Sequence, residues 1–165
     1  MKKVALIMGS DSDLPVIEKS VQILESLSVP YEAHVYSAHR TPDEAREFAL
    51  HARENGFGAI IAAAGMAAHL AGALAANTLL PVIGIPCKGP VLDGTDALLS
   101  TVQMPGGIPV AAVGVNAGAN AALLACEILA LSDEALYERL VSLRRQGKEN
   151  VLEKDAGIMQ RLCGK

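Results

Sequence analysis

The chain of 165 residues contains no Trp, only two Phe and three Tyr. Its core must therefore be built from aliphatic residues, which suits the closely spaced strands and helices of an α/β layer architecture. Cysteine is also scarce. Cys87, Cys126 and Cys163 are odd in number and far apart, so they match neither a disulfide framework nor a zinc site, and they read as the reduced thiols of a cytoplasmic protein. Positive charge is in deficit: 14 Lys and Arg stand against 18 Asp and Glu, a formal −4 with no basic cluster. That balance argues against nucleic acid or an anionic membrane as a partner. No apolar run reaches about 18 residues without a break, which excludes a membrane-spanning helix. Met1-Lys2-Lys3-Val4 runs straight into a strand-like segment, so no signal peptide is expected. There is no G-x-G-x-x-G fingerprint and no triphosphate loop, and no residue pattern suggests a metal site or a Lys Schiff base.

What remains is a chain that is 51% apolar and long enough for one domain covering residues 1–165, burying roughly 70% of its unfolded surface. Short β-branched runs alternate with helical patterns. Strands are expected at 4–8, 31–36, 59–64, 82–85 and 110–115. Helices are expected from about 14 to 28, with Ile17, Val21, Leu24 and Ser28 on one face, and over 41–55, 67–77, 117–131 and 133–151, with a tail after. Residues 93–102 read as irregular. Thr41-Pro42-Asp43-Glu44 is a strong helix start, with Thr41 as cap, Pro42 in the first turn and Glu44 completing a capping box. Gly56 offers a left-handed stop.

Repeated β-α units imply a parallel sheet with right-handed crossovers and helices on both faces. The flavodoxin-like strand order 2-1-3-4-5 is expected, a three-layer sandwich whose ligand sits at the carboxyl ends of strands one and three, where the order reverses. Three loops at that edge carry the chemistry. Gly9-Ser10-Asp11-Ser12-Asp13 follows the first strand: its glycine allows a sharp turn, its serines can donate to phosphate, and a carboxylate can accept from a sugar hydroxyl. Capping of the following helix by Ser12 or Asp13 explains the same residues. Ser37-Ala38-His39-Arg40-Thr41-Pro42 follows the second strand. Arg40 has the planar fork that suits phosphate, and an imidazole such as that of His39 both gives and takes a proton near neutrality. Gly65, Ala67 and Ala68 follow the third strand and let backbone approach a ligand, with His69 in the first turn of the next helix as a substrate contact or a structural donor.

Four motifs occur in order: Met8-Gly9-Ser10-Asp11-Ser12-Asp13, Ser37-Ala38-His39-Arg40-Thr41-Pro42, Ala67-Ala68-His69-Leu70 and Val102-Gln103-Met104-Pro105-Gly106-Gly107. Together with Asn120 to Ala125, they make the chain resemble the PurE family, the N5-carboxyaminoimidazole ribonucleotide mutases of purine synthesis, over about residues 4–152. The resemblance implies that Ser10, Ser12, Ser37 and Arg40 bind or flank the substrate's phosphate and that Asp13 holds its ribose hydroxyls. It makes His39 the general acid and base, puts Met104 over the base, and gives the carboxyl group to the segment from Gly65 to His69. It further implies no cofactor, a cytoplasmic octamer, and sites completed by a neighbouring subunit. The chain departs from the family where Gly-Gly is replaced by Gly65-Met66 and Pro by Ala71.

Two alternatives share the fold. One is an enzyme that carboxylates aminoimidazole ribonucleotide directly with carbon dioxide. The other is a non-enzymatic receiver or flavin-binding module. A receiver needs an Asp at the end of strand three, where this chain has Ala62-Ala63-Ala64-Gly65, and Tyr36 is the only aromatic near a strand end that could stack on a flavin. The helix at 117–131 is apolar on nearly every side, with Glu127 its one charge, so a subunit interface is expected to cover it.

Overall fold

Val4 to Met8 is apolar at every position, and such a run makes a strand only where both faces are covered. In the computed structural model, which describes residues 1–164, that condition is met. Strands β1 (Lys3–Met8), β2 (Tyr31–Val35), β3 (Phe57–Gly65), β4 (Val82–Cys87) and β5 (Ala111–Ala112) form one parallel sheet in the order β2-β1-β3-β4-β5. This is the expected flavodoxin-like order.

Alternate residues of β1 serve opposite layers. Val4, Leu6 and Met8 pack with Ile17 and Leu24 of α1 (Leu14–Ser26) and with Ala121, Ala122 and Ala125 of α5 (Gly118–Ala130). Ala5 and Ile7 point the other way, to Ala45 and Ala49 of α2 (Pro42–His51) and to Leu70 and Leu74 of α3 (Leu70–Ala75). On that second face Gly84 of β4 leaves the space that Ala71 and Thr101 fill, the latter from α4 (Thr95–Val102). Layers this close explain the alanine-rich composition.

Several boundaries differ from the sequence reading. Helix α1 ends at Ser26, and Ser28 lies exposed in a left-handed turn (φ 52°), so Ser20 rather than Ser28 joins the buried face. The capping box at Thr41 does not form. The Thr41 hydroxyl instead accepts from the Ser37 amide at 2.8 Å and donates to the Ser37 carbonyl at 3.3 Å, closing the loop before the helix. Helix α2 stops at His51, and Gly56 (φ 85°) turns the chain into β3. The segment read as irregular contains α4, which starts from the left-handed pair Asp93 and Gly94 without a side-chain cap. Strand β5 keeps only two paired residues. Gly114 and left-handed Asn116 then lead it off toward α5, tied back by Val113 N–H to the Gly84 carbonyl at 3.1 Å.

The last helix, α6 (Glu134–Cys163), starts from the Asp133 carboxylate, which accepts from the Leu136 amide at 2.9 Å. It runs through the stretch expected to be a tail, because residues 152–163 contain no proline and are mostly good helix formers. Leu136 is its one buried residue. Among the described residues, no helix is long and apolar enough to cross a membrane.

Candidate active site

Parallel strands that start on one edge deliver all their following loops to the other. The loops after β1, β2, β3 and β4 accordingly meet around a cleft of about 500 Å³. A larger groove of about 780 Å³ lies between the starts of β4 and β5 and the ends of α2 and α3, but Arg53 is its only titratable lining residue. Acid-base chemistry belongs to the first cleft.

The β1 loop is held by its own side chains. The Ser10 hydroxyl accepts from the Ser12 amide at 3.3 Å, and the Asp13 carboxylate accepts from the Ser10 amide at 3.2 Å, a reciprocal pair about a short 3-10 turn. Ser10 and Asp13 thus cap this 3-10 turn, whereas α1 itself starts after Asp13 without a side-chain cap, and Ser10, Ser12 and Asp13 all line the cleft. In the β2 loop the Ser37 hydroxyl accepts from the amides of His39 at 3.4 Å and Arg40 at 3.2 Å. Arg40 reaches back and donates to the Gly9 carbonyl at 3.1 Å, joining the first two loops. Its guanidinium has five donors, so this one bond leaves the fork free for an anion.

The β3 loop turns sharply at Met66, whose φ of 54° is a region that favours glycine. Consecutive tight bonds, Ala68 N–H to the Met66 carbonyl and His69 N–H to the Ala67 carbonyl, delay the helix to Leu70. His69 is therefore the residue before α3 rather than part of its first turn. Its Nδ1 lies 2.7 Å from His39 Nε2, with the rings edge to face at 4.9 Å. A bond between two imidazole nitrogens needs a hydrogen on one of them and a lone pair on the other, so the two rings are linked as donor and acceptor.

The cleft brings together Ser10, Ser12, Asp13, Ser37, His39, Arg40, Gly65, Ala67 and His69. Two of the expected residues lie elsewhere. Ala68 is buried behind the wall at 3% exposure. Met104 rests on α3, its thioether filling the space a side chain at Gly72 would take. Tyr36 is also outside, stacked on His34 at 5.0 Å and packed against Phe48. Sequence reasoning missed Lys88, Gly89 and Pro90, which line the cleft from the β4 loop. The only available signal was their place at the end of a strand in a sheet of this order.

Burial raises the Asp13 carboxyl above the usual carboxylate range, against the hydrogen bonds from the Ser10 backbone and Cys87 that favour its charge. Burial, with the Asp13 charge beside it, pushes the Cys87 thiol up to about 12, so it stays protonated and is no nucleophile. The Asp13 shift has a sign that can be checked. Between the ordinary value of 3.8 and the raised one, the folded chain keeps a proton that the unfolded chain has lost. The associated stability is full in acid and is lost as pH rises through that window. Compared with Asp13→Asn, which has no such titration, the native chain should lose urea resistance from about pH 4 upward. A native advantage that grows with pH in those midpoints would contradict the shift.

A family model described as AIR carboxylase matches residues 3–150. The N5-carboxyaminoimidazole ribonucleotide mutase of Pyrococcus abyssi is 54% identical over 148 residues, covering 90% of this chain and 85% of its own. The phosphoribosylaminoimidazole carboxylase of Schizosaccharomyces pombe is 52% identical over 151 residues, which are 92% of this chain but 27% of that longer protein. A crystal structure of Treponema denticola PurE superposes with a TM-score of 0.81 at 27% identity, covering 93% of this chain and 96% of the other.

Proposed function

Because the chain belongs to the AIR carboxylase family, we infer that it is a mutase converting N5-carboxyaminoimidazole ribonucleotide to 4-carboxy-5-aminoimidazole ribonucleotide in purine (IMP) biosynthesis. The observation that carries this reading is the meeting of an imidazole pair, an arginine and three serines in one cleft, in a chain 54% identical to a protein of that name.

The reaction needs no outside reagent. The bond from the exocyclic nitrogen to the carboxyl carbon breaks, carbon dioxide leaves, and His39 gives a proton to the nitrogen that keeps the electron pair. Carbon 4 of the ring then attacks the same carbon dioxide, and His39 takes the proton that carbon 4 loses. One proton leaves His39 and one returns, so the catalyst is restored without a cofactor. The 2.7 Å contact between His39 Nε2 and His69 Nδ1 supports this use, since His69 can hold the His39 ring in place. Ser10, Ser12, Ser37 and Arg40 take the phosphate or flank it, and Asp13 accepts from the ribose hydroxyls. Gly65, Ala67 and His69 enclose the carboxyl group, with Ala68 as backing. Met104 has no part in the cleft of its own chain while it rests on Gly72.

A second reading is direct carboxylation of aminoimidazole ribonucleotide, favoured by the similar identity to the S. pombe carboxylase. Supplying the N5-carboxylated substrate in buffer with labelled bicarbonate separates the two. The mutase forms product with little label, because carbon dioxide is recaptured before it escapes. Conversion of aminoimidazole ribonucleotide plus bicarbonate, with no turnover of the N5-carboxylated compound, would establish the carboxylase.

The reading takes residues 1–165 as one domain of a cytoplasmic octamer. The helix expected to need a subunit interface, α5, is instead covered within the chain by the sheet, α1 and α6. It is the exposed apolar side chains along α6, including Val141, Val151, Leu152, Ile158 and Leu162, that support burial against other copies. Sedimentation at micromolar concentration should give the octamer, and a monomer would refute it. Cell fractionation tests the compartment.

A further inference from the structure

The cleft has a cation at each end. Arg40 follows β2 and Lys88 follows β4, with β1 and β3 between them. Three interstrand spacings separate the two strand ends, about 14 Å, which is the scale of a ligand with an anionic group at either extremity. Arg40 stands among serine hydroxyls and accounts for the phosphate end of the proposed reading. Lys88 has no part in that phosphate end.

Lys88 is held in a defined place and is not committed to it. Its amide donates to the Asn116 side-chain carbonyl at 2.9 Å, which fixes the start of the loop. Its ammonium pairs with the Asp93 carboxylate at 2.6 Å, and Asp93 sits in a left-handed turn (φ 57°) followed by Gly94 (φ 91°). Both side chains are largely exposed, 59% and 75%. An exposed pair contributes little, because water screens it and two long side chains must be ordered to make it. Exchanging Asp93 for a ligand's anion therefore costs little, and the lysine stem is long enough to turn toward the cleft it already lines. Among the residues lining the cleft, Arg40 and Lys88 are the only arginine and lysine, so Lys88 is the permanent positive charge that the β4 side supplies.

We propose that Lys88 is a specificity residue for the carboxylate end of the ligand, kept in reserve by Asp93 until that carboxylate arrives. The inference rests on the mutase reading and deepens it, because it separates carboxylated from uncarboxylated ribonucleotide by charge. It also gives the β4 loop a task during turnover. A charge that favours carboxylate weakens its hold on neutral carbon dioxide, leaving the small-residue wall to retain the freed molecule.

Calorimetric titration with two compounds tests this. Lys88→Met should weaken binding of 4-carboxy-5-aminoimidazole ribonucleotide about tenfold while leaving that of aminoimidazole ribonucleotide unchanged. Asp93→Asn tests the point from the opposite side and fits the same turn, since Asn tolerates left-handed backbone. It should tighten the carboxylated compound alone, and do nothing once Lys88 is Met. Equal loss for both compounds, or loss for neither, would overturn the assignment. A native protein that binds neither ribonucleotide would instead overturn the mutase reading itself.

Discussion

Replacing His39 with Asn is expected to lower turnover by about 10²–10⁴-fold while the ribonucleotide still binds. Asn places its amide where the near ring nitrogen Nδ1 stood, short of the Nε2 that lies 2.7 Å from His69 Nδ1, so the substitution removes that contact together with the titratable ring while leaving the neighbouring phosphate loop in place. What is lost is the proton that must go to the departing nitrogen and the acceptor that must strip carbon 4. Arg40→Ala serves as the contrast. It removes a charge-assisted contact remote from the reacting carbon, so binding should weaken about tenfold to a hundredfold, with turnover falling less than in His39→Asn. Titration of product followed by single-turnover rates separates the two effects. A His39→Asn enzyme within tenfold of the native rate would move the proton transfer to another group.

The second large effect concerns stability, and two forces act in opposite directions. Gly118 opens α5, where Ala is intrinsically better than Gly by about 1 kcal/mol. The local rule thus favours Gly118→Ala. Tertiary packing opposes it, because a methyl there would collide with the backbone carbonyl of Val16 on α1. The Ser20 hydroxyl, buried between the same helices, donates to the Gly118 carbonyl at 2.8 Å and holds the two backbones at that distance. A backbone atom cannot step aside as a side-chain tip can, so α1 and α5 must separate. Overpacking of this kind should outweigh the helical gain and cost about 3 kcal/mol, seen as a drop of about 10 °C in melting temperature. A variant as stable as the native chain, or more so, would mean that the helices part freely.

These two positions differ in how visible they are before folding. His39 stands beside Arg40 just after a strand-like segment, and its chemistry is plain from residue type and place. Gly118 sits among Ala117, Ala119, Ala121 and Ala122, and nothing in that string separates a glycine needed for close approach from one that merely fills a small position. The same limit hid Lys88, which has no motif around it. It also misplaced Met104, because a loop residue's partner depends on which helix stands opposite. Met66 and His69 show the intermediate case. The segment was legible, but the left-handed turn at Met66 that shortens α3 was not, since a methionine does not announce it.

By itself the sequence determined the alternation of strands and helices, and with it the parallel sheet. Hydrophobic periodicity reports burial directly, and right-handed crossovers leave few ways to connect the pieces. The same logic put the loops carrying Ser10, Ser37, His39 and Gly65 on one edge. Only the tertiary structure decided how those loops meet. His39 and His69 lie thirty positions apart, on loops after strands that are not neighbours, because β1 stands between β2 and β3. Their nitrogens stand 2.7 Å apart where the turn closed by Ser37 meets the left-handed turn at Met66. Local patterns fix which surfaces are buried. Distances between side chains on separate loops are set by the packing of the layers beneath them, which no local pattern encodes.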